Sequence, residues 1–549
     1  MNDRPMSFRS SVQWYSIVFF LVFLLSLLLT TYVRLSHLSM PLERDEGEYA
    51  YVARLILEGV PPFQETYNMK MPGIYYIYAV LMAFLGQSVE GVRLGLLFVN
   101  LLTCFTLYFL LTSLYSPLVG CVAVGVFTIL SLTPRIQGFA ANAEHFVLLP
   151  ALLGMLFLVL AVDREAQWLF FLAGLMLGVA FVIKQHGLAF LLFGLCFSAC
   201  AGPPGSGRAW GRGLRNLAWV GSGSVLPFLL MVALMSGYGV FGRFWFWTFT
   251  YASRYVTMTS PLDGFVWLRS FMGHLVSSAP IPWILSFAGL LCLLPHSGTA
   301  RQKGFAAGLL FSSFAAISPG FYYRPHYFIL LLPSIGLVSG IALDRLRQTP
   351  PGFLRTGRRR LGEILILFLV LASLGHSVYR NRDVFFTMSS AQILRASYGM
   401  NPFPEAVEIA KFIHARSLPG DTLAVMGSEP EIYFYARRRA ATGYLYTYPL
   451  TENHPFAERM QQEMASQIEK AMPRFLVFVG NPFSWSGAPG SAAPLFEWFN
   501  RFVGLHYRLV GTVDTLSSQE TAYAWDEEAV TYQKRSRSWM DVFERKAGL

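Results

Sequence analysis

Glu43-Arg44-Asp45-Glu46-Gly47-Glu48-Tyr49 places four carboxylates in six residues beside the first long apolar run. Acidic side chains are costly at a bilayer, and those kept there mark function or a water-filled cavity. Tyr49, Val52, Ala53, Ile56 and Leu57 recur at helical spacing, so 46–58 reads as a surface helix with one apolar face. Asp45 stands four residues before Tyr49 and projects along that stripe, where a carboxylate needs a partner or a wet pocket. A carboxylate so placed can take the proton of an attacking hydroxyl. Asp45 is therefore the leading candidate base, with Glu46 as its partner, while Glu43 and Glu48 read as solvated. Lys70, in Lys70-Met71-Pro72-Gly73, supplies a compact cation suited to a phosphate leaving group.

Further polar residues stand at the starts or turns of later apolar runs. Glu144 in Asn142-Ala143-Glu144-His145 is a candidate second acid, although Asn142 as a cap and the helix dipole also explain that pattern. Glu144 with His145 is the weak candidate pair for a divalent metal; no cofactor is required. Lys184 in Lys184-Gln185-His186-Gly187 and Arg324 in Arg324-Pro325-His326-Tyr327 are candidate phosphate contacts. Arg254 and His274 are weaker candidates. The run Phe244-Trp245-Phe246-Trp247 reads more readily as a membrane-interface belt than as a sugar platform.

These residues must be positioned by membrane helices. The chain has 549 residues, 54% of them hydrophobic and 14% charged, against about 25% charged in a soluble chain. Apolar runs near 14–33, 92–114, 118–133, 143–162, 166–183, 187–201, 217–236, 279–295, 304–319, 326–343 and 362–378 predict about eleven spans. The net charge of +11 does not indicate nucleic acid, because the arginines gather in short loops between apolar runs. Arg208, Arg212 and Arg215, then Arg301 and Lys303, then Arg345, Arg347, Arg355, Arg358, Arg359 and Arg360 put those loops on the cytoplasmic side, together with the N-terminus. Loops 34–91 and 237–278 and everything after about 379 then lie outside. The segment 73–86 is too short to span and reads as re-entrant or interfacial.

After Tyr379 the composition changes to mixed charge. A helix at 405–416, a second at 456–472 and buried-strand patterns at 422–426 and 474–479 predict a small α/β domain. It contains no glycine-rich nucleotide motif and no serine nucleophile elbow. The domain division is 1–378 for the membrane part, with the acidic motif in loop 34–91, and 379–549 for the outer domain. The five cysteines sit in or beside apolar runs and suggest structural thiols.

Three stretches carry a family resemblance: Asp45-Glu46-Gly47-Glu48-Tyr49-Ala50; Lys70-Met71-Pro72-Gly73-Ile74-Tyr75-Tyr76 with Gly91-Val92-Arg93-Leu94; and Arg324-Pro325-His326-Tyr327 running into Leu330-Leu331-Leu332-Pro333. Ala143-Glu144-His145-Phe146 and Lys184-Gln185-His186-Gly187 support it. Over residues 14–378 the chain resembles C-type (GT-C) glycosyltransferases of the bacterial protein mannosyltransferase and lipid A aminoarabinose transferase type. The resemblance implies a multi-pass inner-membrane enzyme with a periplasmic C-terminal domain. It implies transfer of a sugar from a polyprenyl-phosphate donor to a lipid, glycan or protein acceptor. Asp45 would be the catalytic acid of the first loop, Lys70 the donor-phosphate contact and Glu144 the second-loop acid. The sequence departs from the aminoarabinose transferases at Met69, where they carry an acid, and from the usual second-loop aspartate at Glu144. A flippase without chemistry and a polyprenyl-pyrophosphate glycan ligase or polymerase are the alternative classes. The flippase would need polar residues at mid-membrane on broken helices, whereas these charges gather at helix ends.

Overall fold

The computed structural model describes residues 7–200, 207–293, 298–348, 359–485 and 493–548. Arg355, Arg358 and residues 201–206 lie outside the described residues. The chain forms two compact units. One comprises 1–38, 93–231 and 259–388; the other comprises 39–92, 232–258 and 389–549. The boundary expected at 378/379 falls near 388/389, and the second unit takes in the acidic loop as well as the C-terminal residues.

The first unit is helical. All eleven expected spans fall on helical segments. By length and composition, however, five described helices are able to cross a membrane, or six when a bent pair counts as one span. Pro117–Ser131, Gln167–Ile183, Gly187–Cys200 and Ile364–Arg380 are apolar but shorter, below the roughly 20 residues that cross hydrocarbon unaided. The bent pair is Pro261–Ser278 with Pro280–Leu293, which meet at 112°. Its first helix lies where the sequence suggested loop.

Local chemistry sets several helix starts. Ser116 accepts from the Val119 amide ahead of Pro117, and Thr299 and Gln302 form a reciprocal capping box. Close packing uses small residues. A Cβ on Gly174 or Gly178 would stand 2.0 Å and 2.3 Å from the carbonyl oxygens of Val220 and Ser224, so these two helices touch backbone to backbone. Ser286 and Ser339 share a buried 2.8 Å hydrogen bond between helices, as do Ser313 and Ser334 at 2.7 Å. Phe98, Leu102, Phe105 and Phe109 stay exposed along one helix face, as a lipid-facing stripe would.

The second unit is built on a six-stranded mixed sheet in the order β2-β1-β3-β6-β4-β5. The strands are β1 (Thr422–Met426), β2 (Arg439–Ala440), β3 (Phe475–Val479), β4 (Tyr507–Thr515), β5 (Thr521–Trp525) and β6 (Trp539–Arg545). β1 lies parallel to β2 and β3, and β6 runs antiparallel to β3 and β4. The apolar runs of β1 and β3 form the buried centre, matching the strands expected at 422–426 and 474–479. Helices Phe403–Ala415 and Ala457–Ala471 match the two expected amphipathic helices. The acidic segment forms helix Arg44–Leu57 in this unit, followed by Gly73–Leu85. Gly47 is required by contact: a Cβ there would stand 2.5 Å from Glu431 Cβ.

Candidate active site

The acidic helix begins with a reciprocal cap. Glu43 accepts from the Glu46 amide and Glu46 accepts from the Glu43 amide, each at 3.1 Å. Glu46, expected beside Asp45 as its chemical partner, thus engages the helix end. The carboxylate that joins Asp45 is Glu48, three residues on and on the same face. Glu48 was expected to be solvated, as was Glu43. Instead, Glu48 is 1% exposed and Glu43 is 5% exposed.

Lys70 binds both acids. Its ammonium donates to Asp45 Oδ1 at 2.8 Å, to Glu48 Oε2 at 2.7 Å and to the Tyr446 hydroxyl at 3.2 Å. Those three bonds match the three donors of an ammonium. It also lies 4.6 Å from the Tyr49 ring centroid and 4.9 Å from that of Tyr446. Glu48 accepts from Asn68 Nδ2 at 2.8 Å and from the Tyr75 hydroxyl at 2.6 Å. The Tyr446 hydroxyl in turn donates to Asp45 Oδ1 at 2.7 Å.

The electrostatics follow from this packing. Burial acts to lower the Lys70 pKa, but Asp45 and then Glu48 outweigh it and hold the ammonium above the ordinary lysine range. Burial, with Asp45 and Glu48, pushes the Tyr446 phenol well above the usual tyrosine range. The phenol therefore stays a proton donor to Asp45.

The helix is held from the C-terminal part of the chain. Arg44 donates to the Ser428 carbonyl and pairs with Glu429 at 3.0 Å. Arg54 reaches the carbonyls of Phe434, Tyr433 and Arg438 at 3.2, 3.4 and 3.3 Å. The Tyr51 hydroxyl accepts from the Ala440 amide at 2.7 Å. The segment after β1 thus fixes both ends of the acidic helix and delivers Tyr446 to Asp45. Sequence reasoning missed Tyr446 and Glu48. The i,i+3 spacing from Asp45 signals Glu48; nothing local signals Tyr446.

In the first unit a second acid–cation pair forms. Glu144, fully buried at the start of helix Ala143–Arg164, pairs with Lys184 at the turn before helix Gly187–Cys200. His326 Nε2 lies 4.0 Å from the same carboxylate, and His326 Nδ1 is hydrogen-bonded to Gln137 at 2.9 Å. Lys184 also sits 4.6 Å from the Tyr327 ring centroid. The loop that carries Gln137 is pinned by buried Arg34 and Arg93, which donate to the Gly138 and Phe139 carbonyls at 3.1 and 3.0 Å. Asn142 makes no side-chain cap, while Glu144 does lie in the first turn of its helix, where the dipole favours a carboxylate. Among the described residues, Glu144 Oε2 and both ring nitrogens of His186 are buried without a hydrogen-bond partner.

Arg324 is exposed, with its guanidinium 5.3 Å from the Tyr322 ring centroid. Arg254 and His274 are exposed. His145 is buried against the Gly138 carbonyl at 3.1 Å while Glu144 faces Lys184. These two do not suit a shared metal, and no group of three or more His, Cys, Asp or Glu placed to hold one occurs among the described residues. The aromatic run also divides differently from a belt. Phe244 and Trp247 are buried in the second unit, Trp247 against Tyr67 and Tyr444, and Trp245 is exposed.

Residues 69–232 match the family described as dolichyl-phosphate-mannose-protein mannosyltransferase. A comparison of the sequence with curated proteins finds no match. Among solved structures, the chain is similar to ArnT from Cupriavidus metallidurans bound to undecaprenyl phosphate. There the identity is 15%, with 95% of this chain and 97% of that chain covered at a TM-score of 0.59. It is also similar to the archaeal oligosaccharyltransferase AglB from Archaeoglobus fulgidus, in complex with an inhibitory peptide and a dolichol-phosphate. The identity is 12%, with 93% of this chain and 74% of that chain covered at a TM-score of 0.51. Identities this low speak to fold alone. The chain has the GT-C fold of these solved structures, and its residues 69–232 are similar to the dolichyl-phosphate-mannose-protein mannosyltransferase family.

Proposed function

We propose that this protein transfers a sugar from a polyprenyl-phosphate donor to an acceptor hydroxyl at the outer face of the inner membrane, with inversion at the anomeric carbon. The observation that carries the reading is the ion pair between Asp45 and Lys70, a carboxylate and a cation held 2.8 Å apart with both side chains half-buried. Asp45 takes the proton of the acceptor hydroxyl, and the freed oxygen forms a bond to the anomeric carbon. The bond from that carbon to the phosphate oxygen breaks, and its electron pair leaves on polyprenyl phosphate. A cation near that oxygen stabilises the developing charge. Because the three donors of Lys70 are already engaged, a phosphate reaches it by displacing one partner. Displacing Asp45 would free the base as the donor arrives.

Glu144 and Lys184 form the second acid–cation pair of this reading, and exposed Arg324 is a further phosphate contact. The donor class is supported by the polyprenyl and dolichol phosphates in the solved relatives. The acceptor is a lipid, glycan or protein hydroxyl. The outer face is supported by the arginine-rich loops: with those loops inside, 34–91, 237–278 and everything after about 379 lie outside.

Full-length protein in liposomes, given a radiolabelled polyprenyl-phosphate sugar and a hydroxyl acceptor, tests the reading. Release of polyprenyl phosphate with an inverted glycoside supports it. Intact donor crossing the bilayer without cleavage would replace it with a flippase.

A further inference from the structure

A cavity of about 690 Å³ lies at the far end of helix Ala143–Arg164 from Glu144. Its lining starts at Ala161, roughly 25 Å along the helix at 1.5 Å per residue. One wall is apolar, with Val162, Phe170 and Phe197. The other carries Arg212, Arg215 and Asn216 from helix Gly207–Gly237. Arg301 also lines it, but that guanidinium is engaged by Asp163 and by the Val159 carbonyl.

Arg212 and Arg215 make no ion pair or side-chain hydrogen bond among the described residues, and the Arg212 Nε is buried without a partner. Glu165 is the one carboxylate in the lining, so the two unengaged arginines leave the wall with a net positive charge. Arg212 is half-buried and Arg215 exposed, so both guanidinium groups are open to an anion that enters the cavity. The lining sets cations beside apolar side chains, a pairing that one amphipathic molecule would match.

We propose that this cavity binds an anionic phospholipid, with its phosphate between Arg212 and Arg215 and an acyl chain along Phe170 and Phe197. Arginine forks match phosphate oxygens in bidentate fashion, and basic pockets between membrane helices take anionic head groups. The position supports a bilayer lipid over the transferred donor, because the cavity is a helix length away from Glu144 and Lys184. Gly304 offers an independent handle. It lines the cavity, and a Cβ there would meet nothing within 4 Å.

The test is native mass spectrometry of the full-length protein released from nanodiscs of phosphatidylcholine with and without phosphatidylglycerol. Wild type is expected to retain phosphatidylglycerol preferentially. The double variant R212Q/R215Q should lose that retention roughly thirtyfold, and R212K/R215K should regain most of it. Gly304→Phe should block retention with both arginines intact, which decides the matter should R212Q/R215Q fail to fold. Equal retention by wild type and Gly304→Phe would overturn the proposal. So would phosphatidylcholine held as firmly as phosphatidylglycerol, or polyprenyl phosphate displacing phosphatidylglycerol from the site.

Discussion

The Tyr446 hydroxyl donates to Asp45 Oδ1 over 2.7 Å, joining residues 401 apart in the chain. The sheet-bearing C-terminal region therefore supplies part of the candidate base's environment. A hydrogen bond to a carboxylate favours its ionised form. Tyr446→Phe keeps the ring beside Lys70 and removes that bond together with the 3.2 Å bond the hydroxyl accepts from Lys70. The acid limb of the pH–rate profile should then move up by about one to two units, from the roughly 1.5–3 kcal/mol of a charge-assisted bond. A profile unchanged in shape would show that Tyr446 only packs.

Lys70 neutralises two acids at once. Lys70→Met leaves Asp45 and Glu48 without their cation and should cost about 3–5 kcal/mol of stability. Lys70→Arg keeps the charge but alters the geometry, so it should fold while losing turnover. Thermal unfolding in detergent and turnover, measured on both variants, separate the two effects. Full stability in Lys70→Met would contradict the pairing.

Glu144 and Lys184 form the corresponding pair in the first unit. Lys184→Met strands a buried carboxylate and should destabilise by a similar 3–5 kcal/mol, whereas the double variant Glu144→Gln, Lys184→Met should recover much of that loss. A double-mutant cycle on unfolding temperature reads the coupling; additive effects would argue against it.

Burial, then Asp45 and Glu46, raises the Glu43 carboxyl well above its ordinary 4.5, and burial with Glu429 does the same for fully buried Glu431. Folded-state values above unfolded ones mean that the native state binds more protons between the two. Stability is then fully present below 4.5 and falls as pH rises through the folded values. Hydrogen exchange over 40–57, taken relative to the intrinsic amide rate at each pH, should therefore quicken from pH 5 upward. Glu431→Gln, neutral at every pH, should flatten that rise.

Asp45 and Lys70 were legible because charge at the edge of an apolar run stands out against the cost of burying it. The Glu43–Glu46 cap was also readable in principle, as two carboxylates three residues apart at a helix start. Glu48 was misread because its burial depends on Asn68, Tyr75 and Lys70, which approach from a separate loop and helix. Tyr446 carries no local signal, since its role arises only when the segment after β1 packs on the acidic helix. β1 and β3 are continuous apolar runs and declared themselves. β6 was hidden by Asp541 and Glu544, whose charges are met by Lys534 at 2.6 Å and by Arg474 and Arg508 at 2.7 and 2.6 Å. The eleven apolar runs were visible and all fall on helices, but the points where helices break were not, and five described helices, or six with the bent pair, are long and apolar enough to cross alone.

The central claim is that Asp45 is the base. Asp45→Asn keeps the shape and the bond to Tyr446 but cannot accept the acceptor's proton. Release of polyprenyl phosphate from a labelled polyprenyl-phosphate sugar, in protein whose unfolding temperature shows it folded, should fall by about 10²–10⁴-fold. Turnover at the wild-type rate by folded Asp45→Asn would contradict the account.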